Sequence, residues 1–258
     1  MLLAIDVGNT NIVLGVFDGV TLAHAWRLQT VRERTLDELG LLVEGLFAHG
    51  GVRLSAITGI VLGSVVPPVT GTMRGMIERY FGLRPLVVDP VSNTGMPIRY
   101  DNPAEVGADR IVNAIAAYEA FGRHEQVPLI VCDFGTATTL DAVSGAGEYL
   151  VGVICPGVNI SADALFQRAA RLPRIDVRKP AQVVGRTTVG AMESGLFWGY
   201  VGMVEGLVRR MRSELGGRAV CVATGGLAAV IAPETDLIQH VDIDLTLHGL
   251  RMVWERNQ

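Results

Sequence analysis

Asp6-Val7-Gly8-Asn9-Thr10-Asn11 lies between two apolar runs, Leu2-Leu3-Ala4-Ile5 and Ile12-Val13-Leu14-Gly15-Val16-Phe17. Short β-rich runs joined by turn-forming residues predict a hairpin. Its tip carries a carboxylate, a glycine and three small polar side chains. Gly8 lets a ligand approach the main chain, and successive N–H groups with the side chains of Asn9, Thr10 and Asn11 form a cradle for phosphate oxygens. Asp6 suits a divalent metal bridging those phosphates, since Mg²⁺ takes one or two carboxylates plus phosphate. One such turn alone reads equally as an ordinary Asx-type turn.

A second copy breaks that tie. Leu129-Ile130-Val131-Cys132 runs into Asp133-Phe134-Gly135-Thr136-Ala137-Thr138-Thr139, and a further apolar run ends at Val143-Ser144-Gly145. The two aspartates stand about half a chain apart, which predicts an internal duplication in which each half opens on an Asp-x-Gly hairpin. Two such hairpins imply a pair of related domains facing each other across a nucleotide cleft.

Working outward, Thr21 to Leu28 has a strand pattern, so the first half opens with a three-stranded meander. Thr35 followed by Asp37 and Glu38 is a helix start, and Leu39, Leu42, Val43, Leu46 and Phe47 mark one helical face over 36–48. A strand over 56–64, a helix over 68–80 opened by Pro67-Pro68 and a strand at 85–88 complete a mixed α/β layer. Residues 91–106 read as a long polar loop, and 105–120 as a helix carrying Gly107-Ala108-Asp109-Arg110 in its first turns. In the second half a helix is expected through 161–170, then a basic loop over 171–187. A helix follows from about 188 to 215, whose Gly190, Gly195 and Gly199 permit close helix contact and mark it for a subunit interface. Ala219 to Thr224 is a strand running into Gly225-Gly226, bare backbone on which a flat base could rest. The domains are expected at 1–115 and 116–258, with the last helix packing back on the first.

Composition narrows the chemistry. The chain has 258 residues, 49% hydrophobic and 19% charged, with 22 basic and 26 acidic residues and a net charge of −4. No block of like charge appears, which argues against nucleic acid as a partner. Lys179 is the one lysine and precedes Pro180, so a Walker A loop is absent and phosphate must be held by another device. Cys132, Cys155 and Cys221 lie in or beside apolar runs and read as small buried hydrophobes. The histidines are scattered without zinc-like spacing. No apolar run reaches the ~20 residues of a membrane span, and the N-terminus lacks a signal-peptide pattern, so a cytoplasmic protein is expected.

Asp6-Val7-Gly8-Asn9-Thr10, Asp133-Phe134-Gly135-Thr136 and Ala223-Thr224-Gly225-Gly226 follow the order of the phosphate and adenosine motifs of the actin, sugar-kinase and heat-shock ATPase superfamily. More narrowly, the chain resembles the type III pantothenate kinases. The resemblance rests on Asp6–Val13, Tyr100-Asp101-Asn102-Pro103, Glu105–Arg110, Asp133–Thr139, Pro156-Gly157, Gly185-Arg186-Thr187-Thr188 and Thr224-Gly225-Gly226. Arg186 and Thr187 depart from the lysine and asparagine of several relatives. The resemblance implies two duplicated ribonuclease H-like, actin-like ATPase domains with mixed sheets flanked by helices. It also implies ATP-dependent phosphorylation of pantothenate, the first step of coenzyme A synthesis, by a homodimer using Mg²⁺ and a monovalent cation, K⁺ or NH₄⁺.

It implies residue roles as well. Asp109 is the base, accepting the proton of the pantothenate hydroxyl. Asp6, Val7, Gly8, Asn9, Thr10, Asn11, Ile12, Val13, Thr136, Gly225 and Gly226 form the ATP site, with Asp6 organising Mg²⁺ through water and Asp133 holding K⁺. Tyr100, Gly107, Ala108, Arg110, Thr187 and Thr188 join Asp109 around the substrate, Arg110 suiting its carboxylate. Thr187 and Thr188 read equally as caps of the following helix. The rivals are another small-molecule kinase of the superfamily and a non-catalytic regulatory homologue; retention of Asp109 and both Asp-x-Gly turns favours a working kinase.

Overall fold

The computed structural model describes residues 1–89 and 93–258. In chain order the first elements are β1 (Leu2–Val7), β2 (Asn11–Asp18), β3 (Thr21–Gln29), α1 (Leu36–His49), β4 (Gly59–Ser64), α2 (Pro67–Phe81), β5 (Leu86–Val87) and α3 (Ala108–Ala117). They are followed by β6 (Leu129–Phe134), β7 (Ala137–Val143), β8 (Tyr149–Pro156), α4 (Val158–Arg168), α5 (Thr188–Glu214), β9 (Val220–Thr224), α6 (Ala228–Ile231), β10 (His240–Val241) and α7 (Leu245–Arg256). Two compact units result. One comprises Met1–Met96, Asp101–Ala116 and Leu245–Gln258; the other comprises Pro97–Tyr100 and Ala117–Asp244.

Each unit holds a five-stranded mixed sheet, ordered β3-β2-β1-β4-β5 in the first and β8-β7-β6-β9-β10 in the second. In both, the first three strands pair antiparallel and the last two join in parallel. The duplication read from two turns therefore extends through every strand, and the fold is a pair of ribonuclease H-like halves. β1 is buried along nearly its whole length, as a central strand covered on both faces must be. β3 alternates exposed and half-buried residues, the pattern of an edge strand with one wet face.

In the first unit α1 and α2 cover one face of the sheet. Leu39, Val43 and Phe47 of α1, with Met73, Met76 and Ile77 of α2, pack against Leu3, Ile5, Leu14 and Val16. Thr35 and Glu38 form a reciprocal capping box at the start of α1. Gly40, a weak helix former, is required there: a Cβ would lie 2.3 Å from the Tyr80 ring.

The other face is covered by α7, seated on glycines. A Cβ on Gly15 would lie 2.8 Å from Leu247, one on Gly63 2.9 Å from Leu250, and one on Gly59 2.3 Å from Trp254. On a further side of α7, Gly249 meets α3, where a Cβ would lie 2.0 Å from the Val112 carbonyl oxygen.

Several boundaries move from expectation. The helix foreseen at 105–120 begins only at Ala108, because Pro103–Glu105 forms a 3₁₀ turn, and after Ala117 it widens into a π-helical turn over Tyr118–Gly122. Within the loop foreseen at 91–106, residues 91 and 92 lie outside the described residues, while Ile98 bridges to Tyr149. The helix foreseen at 161–170 starts at Val158, and α6, after Gly226, is a single turn. Among the described residues no helix is long and apolar enough to cross a membrane.

The cysteines divide. Cys132 and Cys221 are fully buried in the second core with their sulfurs 3.5 Å apart, whereas Cys155 on β8 is half-buried, contrary to the uniform burial expected. Hydrogen bonding to Cys221, then burial, pushes the Cys132 thiol well above its ordinary pKa. A thiol whose pKa is raised stays protonated as pH rises, and the thiolate is the reactive form. In a thiol titration of the folded protein at mildly alkaline pH, Cys155 should react alone, and Cys132 and Cys221 only after denaturant; fast reaction of all three would contradict this packing.

Candidate active site

In the first unit, Asp6 sits within β1 and not at the hairpin tip as expected: it pairs with Val13 on β2 and Gly63 on β4 and is half-buried. The turn is Gly8-Asn9-Thr10. It is closed by the Gly8 N–H donating to Asn11 O at 2.9 Å and by the Thr30 N–H donating to Thr10 O at 2.9 Å. The Thr30 hydroxyl adds a bond to Gly8 O at 2.7 Å. Asn9 and Thr10 are exposed and Asn11 half-buried, so their polar groups remain at the surface of the turn. Val7 and Ile12 stand at the two strand ends beside the turn. Both side chains are core residues and both backbones belong to the ladder, so they support the turn from below; Val13 is half-buried.

Asp109 opens α3, its Oδ1 accepting the Arg110 N–H at 2.8 Å. Gly107 makes room for it, since a Cβ there would lie 2.5 Å from that same Oδ1 and 3.3 Å from Val65 Cγ1. Val65 in turn donates its N–H to Val7 O at 3.1 Å. Through Val65, then, the Gly107–Asp109 corner abuts the strand end that enters the Gly8 turn. Arg110 is half-buried and Ala108 is buried. Tyr100, half-buried, belongs to the second unit, and Asn102 is tied to Glu105 at 2.8 Å across the 3₁₀ turn.

In the second unit, Asp133 occupies the position matching Asp6, between Thr139 on β7 and Thr224 on β9. Directly paired residues of neighbouring strands share a face, so Thr139 and Thr224 stand on the face of the carboxylate, with the Thr139 hydroxyl donating to Asp141 Oδ2 at 3.3 Å. Gly225, at φ +89°, is bound to be glycine: a Cβ would lie 2.5 Å from Asp133 Oδ1 and 2.7 Å from the Phe134 backbone. Gly157 packs equally close to the hairpin, its Cβ position 2.1 Å from Thr136 O. Thr136 and Gly226 are exposed, and nothing fills the space beside Gly226. Thr187 is the N-cap of α5, accepting the Gly190 N–H at 3.0 Å, and Thr188 is the exposed first residue of that helix.

The donor set fits the implied cations. Among the described residues no group of three or more His, Cys, Asp or Glu could cage a metal. A carboxylate beside a glycine turn suits Mg²⁺, which arrives with phosphate and keeps its waters. The carboxylate and two hydroxyls at Asp133 are hard oxygen donors of the kind an alkali cation takes. Sequence reasoning missed Val65 and the flanking role of Thr139; register, invisible in local spacing, assigns both.

The duplicated halves, each with a carboxylate beside a glycine turn, define a protein of the actin-like fold. Two solved structures share that fold. One is a Campylobacter jejuni protein of the Baf family described as a candidate transcriptional activator, with a TM-score of 0.63 and 18% identity over 99% of this chain and 98% of that one. The other is the inorganic polyphosphate/ATP-glucomannokinase of Arthrobacter sp. strain KM, with a TM-score of 0.52 and 14% identity over 99% and 98%. A sequence profile described as Type III pantothenate kinase matches residues 2–210. The Type III pantothenate kinase of Myxococcus xanthus is 56% identical across 100% of this chain and 99% of its own, and that of Koribacter versatilis 54% across 100% and 96%. The chain belongs to the type III pantothenate kinase family, whose reaction is a phosphoryl transfer to an alcohol at the start of coenzyme A synthesis.

Replacing Gly225 by Ala should destabilise the protein by about 1–3 kcal/mol, the usual cost of forcing a side chain into a disallowed backbone region. A melting temperature equal to that of the parent would show that the Gly225–Asp133 contact is looser than described.

Proposed function

We propose that the chain transfers the γ-phosphoryl group of ATP to the primary hydroxyl of pantothenate, with Asp109 as the base. The observation that carries the base is the Gly107–Asp109 corner, where a missing side chain leaves room for a carboxylate beside the strand end that enters the Gly8 turn. Phosphoryl transfer asks mostly for positioning and charge neutralisation. The hydroxyl oxygen bonds to the γ-phosphorus as the bond to the leaving ADP oxygen breaks, and the hydroxyl proton passes to Asp109. Asn9, Thr10, Asn11, Gly8 and Thr136 bind phosphate oxygens, and Gly225-Gly226 offers a flat backbone seat to the base of the nucleotide. Tyr100, Gly107 and Arg110 hold pantothenate, Arg110 pairing with its carboxylate.

Asp6 organises Mg²⁺ through water, and Asp133 with Thr139 and Thr224 holds K⁺ or NH₄⁺. These cations neutralise phosphate charge in a chain whose single lysine, Lys179, is paired with Glu234 at 2.8 Å. We read the working form as a cytoplasmic homodimer joined through α5, which completes the pantothenate pocket with Thr188 of the second copy. Support comes from the open glycine stripe of α5, where nothing lies near the Cβ positions of Gly195, Gly199 and Gly202. Exposed Val183 and Val184 stand just before that helix.

ADP release with ATP, Mg²⁺ and pantothenate should be fast in K⁺ and collapse in Na⁺ alone. Asp109→Asn should lower kcat by about 10²–10⁴, the usual worth of general-base catalysis. Near-parental turnover in that variant would remove Asp109 from the role, and equal rates in both salts would remove the alkali cation. Gly199→Leu should turn a dimer into a monomer by sedimentation, and a dimer of unchanged strength would place the interface elsewhere.

A further inference from the structure

The helix that carries Asp109 is tied to the sheet of its own unit through α7. Leu247, Leu250 and Trp254 seat α7 on Gly15, Gly63 and Gly59, while Gly249 brings it flush against Val112 of α3. At that crossing the Thr246 hydroxyl donates to Asn113 Oδ1 at 2.7 Å, linking residues far apart in the chain. Asn113 is only 2% exposed, so water cannot replace the lost donor. Asp109 and Asn113 are four residues apart on α3, one turn above the other on the same face. Ile111, Val112 and Ile115 bury α3 in its unit, and the hydrogen bond adds a directional tie to α7 on the face that carries Asp109.

We propose that Thr246 is a positioning residue for phosphoryl transfer: bonded to Asn113, it sets the rotation of α3 and so the aim of the Asp109 carboxylate. The inference rests on the reading of Asp109 as base. It assigns a catalytic consequence to α7, which lies beyond the residues 2–210 matched by the family profile. A displacement of about 1 Å at a reacting group costs up to about 100-fold in rate, so a small turn of α3 is enough to be measured.

The test is steady-state kinetics of Thr246→Val, which keeps the shape and loses the donor, beside Thr246→Ser, Asn113→Ala and the Val/Ala double variant. Thr246→Val should lower kcat about tenfold with KM for ATP and pantothenate within about twofold, and Thr246→Ser should restore it. Asn113→Ala should match that loss, and the double variant should lose no more than the worse single one, because both act through one contact. Should Thr246→Val fail to fold, Asn113→Ala carries the same reading.

Parental kcat in both single variants would overturn the proposal. So would a fall in kcat and a rise in both KM values together with a lower melting temperature, not relieved by serine, since that is the mark of a merely structural bond. Asp109→Asn separates the two levels of argument. An active Asp109→Asn enzyme removes the base and this proposal with it, whereas an inactive one beside a fully active Thr246→Val removes the positioning role alone.

Discussion

Close approach of α7 to the first sheet is the constraint on which that unit depends. Helix-on-sheet contact of this kind needs strand positions without side chains, and Gly15, Gly59 and Gly63 provide them under Leu247, Leu250 and Trp254. Glycine within a strand weakens it in isolation. Here that weakness is offset by large apolar side chains buried against bare backbone. The same principle recurs at Gly249, where α3 meets α7 at backbone distance, and the helix bearing the proposed base inherits its place from those contacts.

The two halves show one topology put to different uses. Asp6 and Asp133 occupy matching register positions, yet the neighbour on the parallel strand is Gly63 in one half and Thr224 in the other. On the face of the first carboxylate the space beside Gly63 is taken by Leu250 of α7, while the second shares its face with Thr139 and Thr224 and lies against Gly225. We read the first as suited to a hydrated divalent ion that brings its own ligands and the second to a larger, less demanding cation. Divergence after duplication is visible at a single side chain.

Much of this was legible in the chain itself. Both Asp-x-Gly turns, the capping box at Thr35 and the long glycine-bearing helix α5 follow from local chemistry, and local chemistry is what a sequence displays. The second sheet repeats the order of the first, as the second turn repeats the first turn. Other features depend on distant partners. Asp6 reads as a tip residue until its pairing with Val13 and Gly63 is known. The delayed start of α3 reflects the 3₁₀ turn at Pro103–Glu105. Asn113 is an ordinary polar residue in a helix until Thr246 meets it, and Gly15, Gly59 and Gly63 look like flaws in their strands until α7 fills the space.

The first unit is assembled from separate stretches of the chain: its sheet is made before the second unit, and α7 after it. During synthesis on a ribosome the opening strands must wait, their glycine-lined face bare, while the whole second unit is made and can already close on itself. The sheet made first is thus sealed by a helix made only after the second unit. A nascent chain that has not yet reached α7 would present an unsealed apolar sheet to chaperones and proteases.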